Sequence, residues 1–287
     1  MFWKRTATAI LLIAYVIGML VLGYFFGHIF VDLLILSFGL LALYEMSHSF
    51  HLAGYKVFKS PLFVIGILLY PGYYLLEYFK GIGMQAMFLI FIFSCAIAIT
   101  LFTFSHEREL KDLMATIFIM VYPFMFLSAA FVLSSNYCAV FSMLFAVFLP
   151  VSCDSFAYWI GSTVKGKKLC PLISPNKTIS GAIGGLFGGI VVAIAFFFLF
   201  EFFNVLPAVG YVPFTDTLWK SALIYVAIGI IGSIVSQVGD IAASRIKRQL
   251  GIKDYGKIFP GHGGSMDRID SIMFTLILLL LAFTIIY

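Results

Sequence analysis

Long apolar runs separated by short polar segments dominate the pattern along this chain. A helix needs about 20 apolar residues to cross the hydrocarbon core of a bilayer, and most of these runs have that length. They cover approximately residues 6–26, 30–48, 61–79, 85–104, 113–135, 138–162, 180–203, 220–243 and 271–287. The pattern therefore predicts an all-α polytopic membrane protein with about nine transmembrane helices.

The composition supports this fold class. Hydrophobic residues make up 62% of the chain, whereas soluble globular domains are about 45–50% apolar. The four cysteines have no C-x-x-C spacing, so neither disulfides nor a zinc site are expected. We interpret them as packing residues: Cys95, Cys138, Cys153 and Cys170.

The basic residues alternate between the two sides of the predicted bundle. With nine spans, 16 of the 18 Lys and Arg residues fall in segments on one side, and only Lys80 and Lys220 fall on the other. The positive-inside rule then predicts a cytoplasmic N-terminus and places the charged loops in the cytoplasm. We divide the chain into N-terminal transmembrane helices, residues 1–137, and a C-terminal transmembrane catalytic region, residues 138–287.

Acidic residues of the N-terminal half carry little chemical signal. Asp32 and Glu77 lie close to predicted span ends, where water can reach them, and we interpret both as structural. Glu45 lies near His48 and His51, but no acid-rich partner segment follows. We therefore expect no metal site at this trio.

The eighth span has a polar face. Ser233, Ser236, Gln237 and Asp240 are spaced by three, one and three residues, so they share one side of a helix. Lipid cannot accept such a face, which must line a protein interior or a wet cavity. This face is the strongest evidence from residue spacing alone for a site at the membrane boundary.

Charged residues concentrate just after this polar face. The segment 236–270 contains Asp240, Asp254, Asp267, Asp270, Arg245, Lys247, Arg248, Lys253, Lys257 and Arg268. Carboxylates without clustered His or Cys suit Mg²⁺, and the surrounding bases suit phosphates. The pattern favours metal-assisted phosphoryl or nucleotidyl transfer between a phosphate-bearing solute and a lipid.

Two further segments add to this candidate site. Asp154 lies in an apolar run, where a carboxylate is costly without a cation or a donor; a structural capping role is the alternative. The polar segment 165–180 is basic, and Thr178 or Ser180 can cap a helix whose N-terminus suits an anion. Glycines at four-residue spacing from Gly181 onward predict close helix packing.

The segment Ser244–Asp270 resembles the signature of phosphatidate cytidylyltransferases, S-x-x-K-R-x-x-x-x-K-D-x-G-x-x-[LIF]-P-x-H-G-G-apolar-x-D-R-apolar-D. The chain departs from it at Ser265, where the family has an apolar residue. A second pair of motifs, D-S-x-A-Y-x-x-G and S-P-N-K-T-x-x-G, matches Asp154–Gly161 and Ser174–Gly181. Members commonly have Glu where this chain has Ser180.

The resemblance implies roles for the matching residues. The implied catalytic residues are Asp240, Asp267, Lys253, Asp254, Arg268 and His262. The implied substrate-binding residues are Asp154, Ser174, Asn176, Lys177, Thr178, Lys247, Arg248, Gly263 and Gly264. The implied metal ligands are Asp240, Asp267 and Asp270, holding Mg²⁺ and with room for a second cation.

The resemblance also implies the reaction and its partners. CTP and phosphatidate would react to give CDP-diacylglycerol and pyrophosphate at the cytoplasmic side of the cell membrane. Membrane lipids are expected partners, nucleic acid is not, and the glycine pattern is compatible with a homodimer that the sequence does not specify.

Other functions remain open on the residues alone. A CTP-using enzyme acting on another lipid has the same charge requirements. A cation-coupled transporter could use Asp154 and Asp240, but no internal repeat typical of such transporters is visible. A non-catalytic scaffold would leave the polar face of the eighth span unexplained.

Overall fold

The fold is known from a computed structural model that describes residues 2–136, 139–203, 213–259, 261 and 263–286. The helices are α1 (Phe2–Phe26), α2 (Ile29–Leu52), α3 (Lys59–Lys80), α4 (Gly83–Thr103), α5 (Leu110–Ile119), α6 (Phe126–Asn136), α7 (Ala139–Val164), α8 (Ile179–Phe196), α9 (Leu218–Gln249) and α10 (Met266–Ile286). A π-helical turn, Met120–Met125, joins α5 to α6, and a second, Phe197–Phe202, extends α8.

The prediction of about nine apolar helical spans is confirmed. Eight helical segments in the described ranges are long and apolar enough to cross a membrane, and α1 adds a shorter apolar stretch, Ile10–Phe26. The largest difference is α9, which continues to Gln249, about six residues beyond its predicted end. Lys247 and Arg248 in its last turn suit the negative helix end, and Gly251, with φ +70°, follows the helix and turns the chain.

Glycines allow α7, α8 and α9 to pack at very short distance. A methyl group on Gly188 would lie 2.8 Å from the Ser152 carbonyl oxygen of α7, and one on Gly229 of α9 would lie 2.8 Å from the Gly189 carbonyl oxygen of α8. Side chains cannot occupy these positions without moving backbone. The predicted close packing is confirmed, and the glycines that produce it lie between helices of one chain.

Cys153 and Cys95 pack against the core as interpreted, whereas Cys170 is half-buried in the segment between α7 and α8. Cys95, Cys153 and Cys170 are free thiols, and Cys153 is fully buried between α7 and α9, with Sγ 3.8 Å from the Ser233 carbonyl oxygen. Cys138 lies outside the described residues.

A short antiparallel hairpin between α7 and α8 was not predicted. Its strands are β1 (Lys168–Cys170) and β2 (Ser174–Thr178), with Lys168 opposite Thr178. Thr178 also caps α8, because its Oγ1 accepts a hydrogen bond from the backbone N–H of Gly181 at 3.1 Å. The cap fixes the polar β2 strand directly against the start of an apolar helix.

The acids predicted to be structural have structural partners. Asp32 is buried, so the expectation that water reaches it is wrong; it accepts hydrogen bonds from the hydroxyls of Tyr70, at 3.2 Å, and of Ser134. Glu77 accepts the Gly83 N–H at 2.7 Å, which satisfies a free donor at the start of α4. Both carboxylates thus hold helices of the N-terminal half together.

The close packing predicts a strong effect of Gly229→Ala. The added methyl group meets Gly189 backbone, which cannot move without displacing α8, so unfolding should become easier by about 1–3 kcal/mol. The apparent melting temperature of detergent-purified protein measures this effect. Gly18→Ala in α1 is the matched control, because nothing lies within 4 Å of its added methyl group; equal melting temperatures for the two variants would contradict the packing argument.

Candidate functional site

An ion pair joins strand β2 to the C-terminal third of α9. Lys177 Nζ contacts Asp240 Oδ2, and both side chains are about one quarter exposed. Ser244, one turn further along α9, places its hydroxyl 3.4 Å from Asp240 Oδ1. This contact joins the S-P-N-K-T strand to the polar face of α9, two segments separated by more than 60 residues in sequence.

A second ion pair joins α9 to the start of α10. Lys247 Nζ lies 2.7 Å from Asp267 Oδ1, and the Asp267 side chain is 5% exposed. Asp267 Oδ2 accepts two backbone hydrogen bonds, from Tyr255 N–H at 2.9 Å and Gly264 N–H at 3.0 Å. Both oxygens therefore have protein donors, and the carboxylate holds the loop before α10 at two points, Tyr255 and Gly264.

Tyr255 anchors this loop from inside and was missed by the sequence analysis. Its ring is buried, its hydroxyl donates to the Ala243 carbonyl oxygen at 3.1 Å, and Lys247 Nζ lies 5.4 Å from the ring centroid. Burial raises the pKa of the Tyr255 phenol, so the hydroxyl stays protonated and remains a donor. The presence of an aromatic residue among charged ones in this loop could have identified Tyr255 from the sequence.

Two further carboxylates lie near Asp240 of α9. Asp240 is close enough to repel both Asp154 of α7 and Asp270 of α10. Asp154 is exposed, whereas Asp270 is buried and accepts the Ser271 N–H at 2.8 Å. Within the described residues, His, Cys, Asp and Glu side chains form no group of three already placed around one cation.

The polar face of α9 avoids lipid, as predicted. Ser233 and Ser236 are fully buried, and Gln237 donates from Nε2 to the Ala182 carbonyl oxygen of α8 at 3.2 Å. Ser233 donates to Gly229 in its own helix. The face therefore packs against helices near Ser233 and reaches the charged site at Asp240.

The remaining predicted residues border this site with different exposure. Exposed side chains belong to Asn176, Arg248, Lys253, Asp254 and Arg268, while Ser174 and Gly263 are half-buried and Gly264 is buried. Arg248 Nε donates to the Ile173 carbonyl oxygen at 3.3 Å, which ties α9 to the hairpin. His262 lies outside the described residues.

The fold and the site define a polytopic helical membrane protein with a charged site where α7, α9, α10 and a hairpin meet. The chain belongs to the cytidylyltransferase family, whose model matches residues 3–286.

Curated relatives carry a more specific name. A protein of Staphylococcus aureus (strain COL) named phosphatidate cytidylyltransferase is 40% identical over 137 residues, 48% of this chain and 46% of the relative. A Staphylococcus haemolyticus protein of the same name has the same identity and coverage. One from Staphylococcus saprophyticus is 34% identical over 195 residues, 61% of this chain and 69% of the relative. The match thus spans about half the length of the first two relatives.

The Lys247–Asp267 pair should show strong energetic coupling. Lys247→Met leaves a nearly buried carboxylate without its cation. The double variant Lys247→Met/Asp267→Asn should therefore be less destabilised than the sum of the two single variants. We expect a coupling of about 1–3 kcal/mol from a thermal-unfolding double-mutant cycle. The exposed pair Lys111–Glu109, 2.8 Å apart, is the control and should show no measurable coupling; similar coupling in both cycles would contradict the prediction.

Proposed function

We propose that this protein transfers the cytidylyl group of CTP to phosphatidate, forming CDP-diacylglycerol and pyrophosphate for phospholipid synthesis. Family membership and the printed names of its relatives support this activity. The structural observation that carries it is the pair of lysine–aspartate contacts, Lys177–Asp240 and Lys247–Asp267. Each contact places a base suited to phosphate beside an acid suited to a divalent cation.

The reaction is a displacement at phosphorus. A phosphate oxygen of phosphatidate attacks the α-phosphorus of CTP and forms the new pyrophosphate linkage. The bond from the α-phosphorus to the oxygen bridging to the β-phosphorus breaks, and pyrophosphate leaves with that electron pair. Negative charge develops on the leaving group, where positively charged side chains stabilise it.

Mg²⁺ fits the donor set around the end of α9. Asp240 repels Asp154 and Asp270, and Asp267 also repels Asp270, so a divalent cation among these acids would relieve the repulsion. We propose that Asp240, Asp267 and Asp270 would hold this cation. When bound, Mg²⁺ neutralises charge on phosphate oxygens.

The lysines exchange partners in this proposal. In the structure, Lys177 and Lys247 neutralise Asp240 and Asp267. Phosphate oxygens offer these ammonium groups a stronger acceptor, so both lysines can turn towards the nucleotide or lipid phosphate. Lys253, Arg248 and Arg268 are exposed bases of the same signature segment and would supply further positive charge.

The hairpin and the glycine loop complete the proposed substrate site. Ser174, Asn176 and Thr178 lie on β2, directly before the N-terminus of α8, which favours an anion. Gly263 and Gly264 lack side chains, and the half-buried Gly263 offers backbone that a ligand can approach closely. The roles of Asp254 and His262 in catalysis rest on the family signature.

We expect pyrophosphate release by detergent-purified protein only when CTP, phosphatidate and Mg²⁺ are all present. Asp240→Asn and Asp267→Asn should lower the rate by at least about 100-fold, because each removes charge at the reacting centre. Asp216→Asn, at an exposed acid before α9, is the control and should retain the rate. Release without phosphatidate, or with another lipid acceptor in its place, would contradict the proposed substrate.

We propose that the site faces the cytoplasm, in line with the distribution of basic residues. In a variant with all four cysteines replaced by Ser, Leu172→Cys in the β1–β2 turn should react with a membrane-impermeant maleimide only after the cells are permeabilised. Leu172 is 95% exposed, so its reactivity reports sidedness. Asp216→Cys on the opposite side should react in intact cells; the reverse pattern would invert the topology.

A further inference from the structure

Helix α2 of the N-terminal half contacts the loop that precedes α10. Glu45 Oε2 accepts the backbone N–H of Met266, the first residue of α10, at 2.9 Å. One turn further along α2, Ser49 donates to the Tyr255 carbonyl oxygen at 3.0 Å. Nearer the start of α2, the Phe38 carbonyl oxygen accepts from the Ser265 hydroxyl at 3.3 Å. Three contacts therefore fasten the loop to a helix more than 200 residues away in sequence.

Glu45 also explains two glycines of the signature. A methyl group on Gly256 or on Gly264 would overlap the Glu45 carboxylate. Gly264 is at the same time a donor to Asp267, through its N–H at 3.0 Å. The loop backbone therefore contacts Glu45 on one side and Asp267 on the other.

Folding stability alone does not account for a carboxylate at this position. Glu45 is 2% exposed, and its Oε1 has no hydrogen-bond partner among the residues described. Burying a carboxyl oxygen without a partner costs free energy that an apolar residue would not. Local costs of this kind concentrate at functional sites, where they are tolerated because they fix a geometry.

We propose that Glu45 is a positioning residue for Asp267. By accepting the Met266 N–H, Glu45 fixes where α10 begins, and Asp267 is the next residue in that first turn. Glu45 also fills the space beside Gly256 and Gly264. It thereby keeps the backbone amides of Tyr255 and Gly264 within hydrogen-bonding distance of Asp267 Oδ2. The inference deepens the proposed function and rests on it, since Asp267 is there assigned to the divalent cation.

The test compares three changes at Glu45. Glu45→Gln keeps the shape and an acceptor oxygen, and it should stay within about threefold of the unmodified protein. Glu45→Ala removes the support, and Glu45→Asp retains the charge but is one methylene too short to reach Met266. Residues that orient metal ligands typically affect metal affinity or activity by about 10–100-fold. We expect that loss in kcat for the Ala and Asp variants, with the KM for CTP changed less than about threefold.

Two readouts do not depend on turnover. Electron paramagnetic resonance titration with Mn²⁺ should show about 10–100-fold weaker binding in Glu45→Asp. Hydrogen exchange should become faster at the Tyr255 and Gly264 amides, which donate to Asp267. Glu45→Asp also keeps the test decisive if Glu45→Ala fails to fold.

Glu77→Ala is the matched control. Glu77 likewise accepts the N–H of the first residue of a helix, Gly83 of α4, and neither helix it joins carries a proposed site residue. The Glu77→Ala variant should lower the melting temperature without changing kcat, Mn²⁺ binding or hydrogen exchange at the Tyr255 and Gly264 amides. Unchanged exchange and Mn²⁺ affinity in Glu45→Asp, or the same changes in Glu77→Ala, would overturn the positioning role. Absence of pyrophosphate release by the unmodified protein would instead refute the proposed function, and the exchange data would still decide the role of Glu45.

Discussion

The buried carboxylate of Asp267 is the constraint on which the site depends. A group that is 5% exposed must be matched by donors, and this one takes a lysine from α9 and two amides from the loop before α10. The lysine requires α9 to continue beyond its apolar span, and the amides require a loop that can fold closely around one side chain. Glycines at positions 256 and 264 satisfy that second requirement, since any larger residue would collide with Glu45.

The N-terminal half is therefore part of the site rather than a separate anchor. The contacts of Glu45, Ser49 and Phe38 with the loop cross the boundary between residues 137 and 138 that we drew from the sequence. That boundary stays a prediction about where chemistry resides, because the residues implied by the signature all follow it. The structure adds that helix α2 supports them from the other side of the boundary.

Transmembrane spans could be predicted because bilayer thickness imposes one length on every helix, and each span could be recognised on its own. The charged site could be anticipated because ten charged residues in 236–270 have few other reasons to border apolar spans. Pairings such as Lys177–Asp240 could not, since charge density does not specify which base meets which acid. The hairpin was missed because strands of three and five residues show no reliable alternation. The role of Glu45 was missed because a contact 221 residues apart has no local pattern.

The length of α9 sets the depth at which chemistry can occur. Its 32 residues extend over about 48 Å, whereas the hydrocarbon core is about 30 Å thick. Asp240 lies 22 residues after Leu218, about 33 Å along the helix, and Lys247 lies about two turns beyond it. If the helix enters the hydrocarbon near Leu218, these side chains stand at the level of the phospholipid headgroups. In the proposed reaction, a lipid phosphate could then meet a water-soluble nucleotide without being lifted from its own layer, and its acyl chains could stay in the bilayer throughout.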